Sequence, residues 1–265
     1  MADIVKKDVF GTQSTGLSIS KGKLKSSSSP FQSRVNQAKA SQPDAASMPH
    51  RICLMLDRSS SMSSHAYVNF GNKIASTDKT KIDLLKDAIN NFVNRCDFTN
   101  TSLAVETFPA SLELSLTSVS FMITSSVAVI EAKGDTPMRR CVESCLEKVP
   151  MTRGIIVSDG EATDWRQEYD EDDGDGPEFV KKSNDELLTK YKKAQTPIDC
   201  VHIGDSTSGE ELLRRIARET GGIYLKFTDV SAFANAFGFL TPSYRAQLTD
   251  GSVDATKLGA TEVRR

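Results

Sequence analysis

Hydroxyl and carboxylate side chains follow two apolar runs of this 265-residue chain and begin a predicted helix. The run CLMLDRSSSMSS passes from four apolar residues straight to Asp57, Ser59 and Ser61. Thr136 lies in GDTPM, and Asp159 in VSDGEATD ends a second apolar run. Oxygen donors without nitrogen or sulfur suit a hard cation such as Mg²⁺, Mn²⁺ or Ca²⁺. These five residues are therefore candidate metal ligands if the fold brings them together.

The elements that must position these residues are alternating strands and helices. RICLMLD (51–57), GIIVSD (154–159) and PIDCVHIG (197–204) are continuous apolar runs, typical of strands covered on both faces. Amphipathic helical patterns separate them, so we predict an α/β three-layer sandwich with a mostly parallel central sheet. SLELSLT (111–117) alternates strictly and predicts one antiparallel strand at the sheet edge.

This architecture predicts where the candidate ligands lie. Ligands of such sheets bind beyond the carboxyl ends of the strands, at the point where the strand order reverses. Asp57 and Asp159 each end a predicted core strand, and Thr136 is expected to cap a helix that begins at Pro137. Each residue alone is an ordinary turn or cap residue. Their joint placement at one edge favours a metal site.

Taken in order, these motifs resemble the metal-ion-dependent adhesion site (MIDAS) of von Willebrand factor A (vWA) domains. The motifs that carry the resemblance are Asp57-x-Ser59-x-Ser61, Thr136 in GDTPM and Asp159 in VSDGEATD. It covers roughly residues 50–240, including the edge hairpin and the late HIGD…EELLRRIARETGG segment. Two features depart from the family pattern. Ser60 stands where the family usually has glycine, and residues 65–79 are expected to add a loop near the site.

The resemblance implies a Rossmann-like vWA fold that binds Mg²⁺, or Mn²⁺ or Ca²⁺ in its place. It implies that Ser59, Ser61 and Thr136 bind the ion directly or nearly so, while Asp57 and Asp159 position coordinated waters. In this family a carboxylate of a partner protein commonly completes the coordination shell. We therefore expect a divalent-cation-dependent protein-binding module, not an enzyme, whose protein partner supplies an Asp or Glu.

Three alternative functions stay open. The domain could be an intracellular adaptor for a MoxR-type AAA+ ATPase, a role that many microbial vWA domains have. It could be a structural or virion assembly protein that uses the vWA fold as a scaffold. A metal-dependent hydrolase is the third alternative, although the sequence offers no apparent general base or second metal site.

Composition and charge limit the other possibilities. A net charge of −2 and an isoelectric point near 6.0 give no argument for a nucleic-acid partner. We predict no membrane span, because no apolar run approaches the required length. The five cysteines are mostly scattered and suit a reducing compartment. The expected location is the cytoplasm, or a virion assembled there.

The domain organisation predicted from composition has three parts. Residues 1–49 are Ser-rich, with seven Lys/Arg against three Asp/Glu, and are expected to be a flexible basic N-terminal tail. Residues 50–240 are expected to be the vWA-like domain. Residues 241–265 are expected to be a short polar C-terminal tail.

Two further clusters carry weaker signals. The acidic run EYDEDDGDGPE (168–178) is interpreted as a solvated loop, with a second cation site or a basic-partner surface as alternatives. It lacks the glutamate that an EF-hand loop requires. Cys141 and Cys145 share a predicted helix face with Met138 and Val142, which predicts core packing in preference to zinc or redox chemistry.

Overall fold

The computed structural model describes one part of the chain, residues 44–70, 73–109, 113–160, 162–165, 177–204, 206–258, 260 and 262–264. Residues 1–43 of the predicted N-terminal tail therefore lie outside the described residues. Residues 168–176 of the acidic run also lie outside them.

Nine strands form within the described residues. They are β1 (His50–Asp57), β2 (His65–Phe70), β3 (Lys73–Thr80), β4 (Thr101–Phe108), β5 (Glu113–Thr117), β6 (Arg153–Ser158), β7 (Ile198–Ile203), β8 (Tyr224–Phe227) and β9 (Glu262–Arg264). Seven of them form one sheet in the order β5-β4-β1-β6-β7-β8-β9, and β2 pairs with β3 in a separate hairpin. The pairs among β4, β1, β6, β7 and β8 are parallel. Both edge strands, β5 and β9, are antiparallel to their neighbours.

Helices cover both faces of the sheet. They are α1 (Lys81–Arg95), α2 (Ser120–Ala128), α3 (Met138–Lys148), α4 (Pro177–Lys193), α5 (Thr207–Thr220), α6 (Val230–Ala236) and α7 (Pro242–Asp250). Strand β1 explains the arrangement, because successive side chains point to opposite faces. Leu54 and Leu56 lie in the core that α1, α2 and α6 share, whereas Cys53 and Met55 lie in the core under α3, α4 and α5. The predicted α/β sandwich with a mostly parallel sheet is confirmed.

The order of the strands creates a switch point at β1. From β1 the sheet extends to β4 and β5 on one side, and to β6, β7 and β8 on the other. Asp57 is the last residue of β1, and Asp159 directly follows β6. The two carboxylates therefore belong to adjacent parallel strands at their carboxyl ends, where the crevice of such a sheet lies.

The insertion at residues 65–79 forms most of the β2–β3 hairpin, where the sequence predicted a loop. Its base is closed by the backbone N–H of Lys81, which donates to the carbonyl of Ser64 at 3.0 Å. Thr80 and Asp83 then form a capping box at the start of α1. The hairpin thus leaves and rejoins the domain beside the Ser60–Ser63 turn.

The C-terminal residues 241–265 differ from the predicted polar tail. They carry α7 and β9, and β9 pairs with β8. Arg245 of α7 donates to both oxygens of buried Asp199, at 2.8 and 2.9 Å. The apolar side chain of Leu248 is also buried, with 1% of its surface exposed. The polar composition of residues 241–265 does not reveal this anchoring, because only an ion pair and a few apolar residues hold the segment against the domain.

Candidate metal centre

Asp57 is positioned by hydrogen bonds to both of its carboxylate oxygens. The backbone N–H of Ser59 donates to Oδ1 at 2.7 Å, and the Ser158 hydroxyl donates to Oδ2 at 2.6 Å. The residue is fully buried. The first contact is the local turn that an aspartate forms after a strand, whereas the second joins β1 to β6. Asp57 is therefore a fixed anchor of the loop.

The electrostatics of Asp57 reflect two opposing effects. Burial of the carboxylate raises its pKa to about 6, because desolvation disfavours the charged form. The hydrogen bonds from Ser158 and Ser59 lower the pKa, and the negative charge of Asp159 raises it. A positive charge in this crevice would favour the ionised form of Asp57.

Ser59, Ser61 and Asp159 form a chain of hydrogen bonds. The Ser61 hydroxyl donates to Oδ1 of Asp159 at 2.8 Å, and the Ser59 and Ser61 hydroxyl oxygens lie 2.8 Å apart. Since Ser61 has a single hydroxyl hydrogen, Ser59 must be the donor in the serine pair. The remaining lone pairs of both hydroxyls are therefore the groups that could bind a cation.

Thr136 is brought to this loop through backbone contacts. The N–H of Gly134 donates to the Ser60 hydroxyl at 3.0 Å, and the N–H of Ser60 donates to the Gly134 carbonyl at 2.9 Å. The Thr136 carbonyl accepts from the N–H of Thr163, in the loop after β6, at 2.9 Å. Thr136 is 7% exposed, and no described residue forms a hydrogen bond with its hydroxyl. That hydroxyl oxygen is therefore available to a ligand.

Ser60 takes over part of the role expected of glycine. The residue begins a 3-10 turn, Ser60–Ser63, and its hydroxyl joins the pair of hydrogen bonds with Gly134. Gly134, with φ of +84°, adopts the left-handed conformation on the opposite side of the pair. Among the described non-glycine residues only Gln195 has a positive φ. The turn at Ser60 therefore forms without glycine's conformational freedom.

The start of α3 differs from the predicted cap. Pro137 occupies the N-cap position, the helix begins at Met138, and the side chain of Thr136 does not cap it. The carboxylate of Asp164 instead accepts from the N–H groups of Arg139 and Arg140, both at 2.9 Å. A carboxylate at this position satisfies free N–H groups and complements the helix dipole. The cap comes from a distant loop, which a local sequence pattern does not reveal.

Lys81 is a cation that the sequence analysis missed. Its ammonium group donates to Oδ2 of Asp159, while Ser61 occupies Oδ1. The Asp159 side chain is 1% exposed and that of Lys81 is 18% exposed. Lys81 is the first residue of α1, where the helix dipole disfavours positive charge. A lysine at this position was a signal that an anionic partner lies nearby.

The donor set fits a divalent cation. Three of the candidate donors are neutral hydroxyls and two are carboxylates, which matches the preference of Mg²⁺, Mn²⁺ and Ca²⁺ for oxygen ligands. The described contacts link the side chains of Asp159, Ser61 and Ser59 in series, and the Ser59 backbone continues the series to Asp57. Thr136 lies beside them with its hydroxyl oxygen available. Lys81 already supplies one positive charge, with which a bound cation would compete.

The cysteines lie apart from this centre. Cys53, Cys141 and Cys145 are buried in the core under α3 and α4, as the sequence predicted. The Sγ atoms of Cys53 and Cys145 lie 3.6 Å apart. Among the described residues, no group of three or more His, Cys, Asp or Glu side chains could hold a metal ion. The burial of these three cysteines in an apolar core therefore favours a role in packing.

Comparison with known proteins establishes the fold. No protein-family profile and no curated protein matches the chain. BatB, a conserved hypothetical protein from Bacteroides thetaiotaomicron, matches with a TM-score of 0.51 and 14% identity, over 76% of this chain and 99% of that one. The SpRpn10 VWA domain matches with a TM-score of 0.50 and 14% identity, over 70% and 94%. The vWF domain of the type V pili tip protein Mfa5 from Porphyromonas gingivalis matches with a TM-score of 0.54 and 11% identity, over 78% and 97%.

These similarities place the chain in a structural class. One of the three structures is described as a VWA domain and another as a vWF domain, and identities this low show the fold alone. The parallel sheet with its switch point at β1 and helices on both faces agrees with them. The described chain therefore has the vWA fold. Within the described ranges, no helix has the length and apolar character needed to cross a membrane.

Proposed function

We propose that this protein is a divalent-cation-dependent protein-binding module of the vWA type. The observation that supports the proposal most directly is the series of oxygen donors that runs from Asp159 through Ser61 and Ser59 to Asp57. In this proposal Ser59, Ser61 and Thr136 bind Mg²⁺ directly or nearly so. The two aspartates act through coordinated waters.

A partner carboxylate can reach this centre from solvent. Ser61, Gly134 and Asp135 are exposed at its mouth, whereas Asp57 lies buried beneath them. A bound cation would supply a coordination position and positive charge for an Asp or Glu of a protein partner. Because the inner donors proposed are neutral hydroxyls, the ion would keep most of its charge for that carboxylate. The function proposed is therefore binding and not catalysis.

Metal-dependent stability tests the ion site. Saturating Mg²⁺, Mn²⁺ or Ca²⁺ should raise the melting temperature, because a ligand at a hundredfold excess over its dissociation constant stabilises the folded state by about 2.7 kcal/mol. The double substitution Ser59→Ala, Ser61→Ala should abolish this effect and leave the metal-free protein folded. Ser63→Ala, in the same turn, is the matched control, because that hydroxyl donates only to the Ser60 carbonyl. A melting temperature indifferent to all three cations would contradict the proposal.

Partner capture tests the binding role. Wild type and the double mutant are used to capture proteins from the native source, once with Mg²⁺ and once with EDTA. A partner that depends on the centre should bind the double mutant at least tenfold more weakly, which corresponds to about 1.4 kcal/mol. A partner captured equally by both proteins, with Mg²⁺ and with EDTA, would show that this face is not the binding site. The scaffold alternative would then be favoured.

A further inference from the structure

Lys81 lies where its charge opposes that of a bound cation. Its ammonium group donates to Oδ2 of Asp159, and Oδ1 of the same carboxylate accepts from Ser61. The Asp159 side chain is 1% exposed. A cation that approaches the serine hydroxyls therefore meets a carboxylate that is already paired with a positive charge. Like charges at such short range repel each other, and the effect is larger where water is excluded.

The backbone holds Lys81 in this place. Its N–H donates to the carbonyl of Ser64 at 3.0 Å, and the Ser64 hydroxyl donates to the carbonyl of Ser61 at 2.7 Å. The start of α1 is thus connected through two hydrogen bonds to the turn that carries the candidate ligand Ser61. Strands β2 and β3 lie between Ser64 and Lys81. Because the two ends of this hairpin are adjacent, Lys81 lies beside the centre directly after β3.

The location of Lys81 on its helix is unfavourable without an anion. It is the first helical residue, where the dipole favours negative side chains. Its side chain is 18% exposed, whereas that of Lys79, two residues earlier, is 58% exposed and pairs with Asp87 at the surface. Lysine side chains normally keep their ammonium group in solvent. The contact with Asp159 is the interaction that compensates for both disadvantages.

We propose that Lys81 is a built-in competitor of the divalent cation, so that the centre alternates between a lysine-paired state and a metal-bound state. In the lysine-paired state, the ammonium group neutralises Asp159 and stabilises the metal-free domain. Metal binding requires the ammonium group to leave Asp159, and this requirement weakens the affinity of the centre. Lys81 thereby sets the cation concentration at which the domain becomes competent for its partner. This inference rests on the metal-dependent function proposed above.

The test compares Mn²⁺ binding by wild type, Lys81→Met and Lys81→Arg, all as full-length chains, with free Mn²⁺ measured by electron paramagnetic resonance. Met removes the charge and keeps most of the side-chain volume, whereas Arg keeps the charge. Lys79→Met is the matched control for loss of a lysine near the helix start. We expect Lys81→Met to bind Mn²⁺ at least tenfold more tightly than wild type, and both Lys81→Arg and Lys79→Met to resemble wild type.

Two further measurements make the result decisive. The metal-free melting temperature should fall for Lys81→Met and recover when Mn²⁺ is added. Adding Ser59→Ala and Ser61→Ala to Lys81→Met should remove the gained affinity, which assigns it to this centre. If Lys81→Met alone does not fold, Lys81→Gln replaces it.

The outcomes separate this inference from the proposed function. Tighter Mn²⁺ binding by Lys81→Met, with weaker but measurable binding by wild type, would support both the inference and the proposed function. Binding by Lys81→Met but not by wild type at millimolar concentrations would overturn the proposed function and the alternation between two states, because the native centre would then hold only the lysine. Equal or weaker binding by folded Lys81→Met, with wild type still binding, would overturn the inference and leave the proposed function standing. Absence of Mn²⁺ binding by wild type and by every Lys81 variant at millimolar concentrations would overturn both.

Discussion

Asp57 depends on a hydroxyl from a different strand. Ser158 donates to its Oδ2 at 2.6 Å, and both residues are fully buried. A buried carboxylate that loses a donor retains the cost of desolvation without the compensating bond. The two residues are thus one unit, although 101 positions separate them in the sequence.

Ser158→Ala should therefore destabilise the domain. We expect a loss of about 1–3 kcal/mol at neutral pH, the range for a hydrogen bond to a charged group or a buried group left unsatisfied. Ser125→Ala, an exposed serine of α2, is the control and should change the free energy of unfolding by less than about 0.5 kcal/mol. The measurement is urea-induced unfolding followed by circular dichroism. Equal stabilities for the two variants would contradict the role assigned to Ser158.

Strand β4 carries an acidic residue in a buried position. Glu106 is 7% exposed, and burial raises its pKa from 4.5 to about 7. The folded protein therefore binds this proton more tightly than the unfolded chain does. The stability that Glu106 contributes is complete below about pH 4.5 and is lost as the pH rises through 7.

Glu106→Gln should flatten the dependence of stability on pH. Wild type should lose at least about 1 kcal/mol more than the variant between pH 5 and pH 8, since one pKa unit corresponds to about 1.36 kcal/mol. Glu147→Gln, an exposed residue of α3, should retain the wild-type profile. Urea unfolding at a series of pH values measures all three proteins. Parallel profiles for wild type and Glu106→Gln would show that Glu106 does not titrate differently in the folded state.

At the level of elements, sequence patterns predicted those parts of the fold that depend on local periodicity. The apolar run at 51–57 predicted β1, and strict alternation at 111–117 predicted the antiparallel strand β5. The β2–β3 hairpin and the C-terminal strand β9 were missed. The alternation of Ala66, Val68 and Phe70 is the only local signal for β2 and is too short to distinguish a strand from a loop, and β9 is only three residues long.

The candidate site was predictable to a similar extent. The strand ends at Asp57 and Asp159 follow from the apolar runs, and their binding of metal stays a prediction. Ser158, Asp164 and Lys81 act through contacts with residues far along the chain, so spacing gives little information about them. Only the tertiary fold determines such partners.

For the whole molecule, the C-terminal segment is part of the packed structure. Asp199 is fully buried and accepts from Arg245 of α7, and it also forms an ion pair with Arg153 at 3.0 Å. The pKa of Asp199 is lowered despite burial, because the charges of Arg153 and Arg245 oppose the desolvation effect. Removing α7 would leave this network with one arginine.

Truncation after Leu240 should therefore destabilise the domain. We expect a loss of at least about 3 kcal/mol, the lower end of the range for breaking a buried ion pair on one side. The substitution Arg245→Met in the full-length chain isolates this contribution from that of β9. Differential scanning calorimetry gives the midpoint and enthalpy for each protein. An unchanged midpoint after truncation would instead favour the polar tail that composition predicts.

The contact between Ser61 and Asp159 spans 98 positions of the chain, and this distance has a consequence for biosynthesis. A nascent chain that has released only β1 and its loop presents the serines without their counterpart. Contacts of such sequence separation form late, since the entropy of closing a long loop must be overcome first. The centre can therefore assemble only after β6 has left the ribosome and paired with β1. In the metal-dependent function proposed above, binding of the ion would therefore report that β6 has paired with β1, and chains that have not reached this stage would not bind the partner.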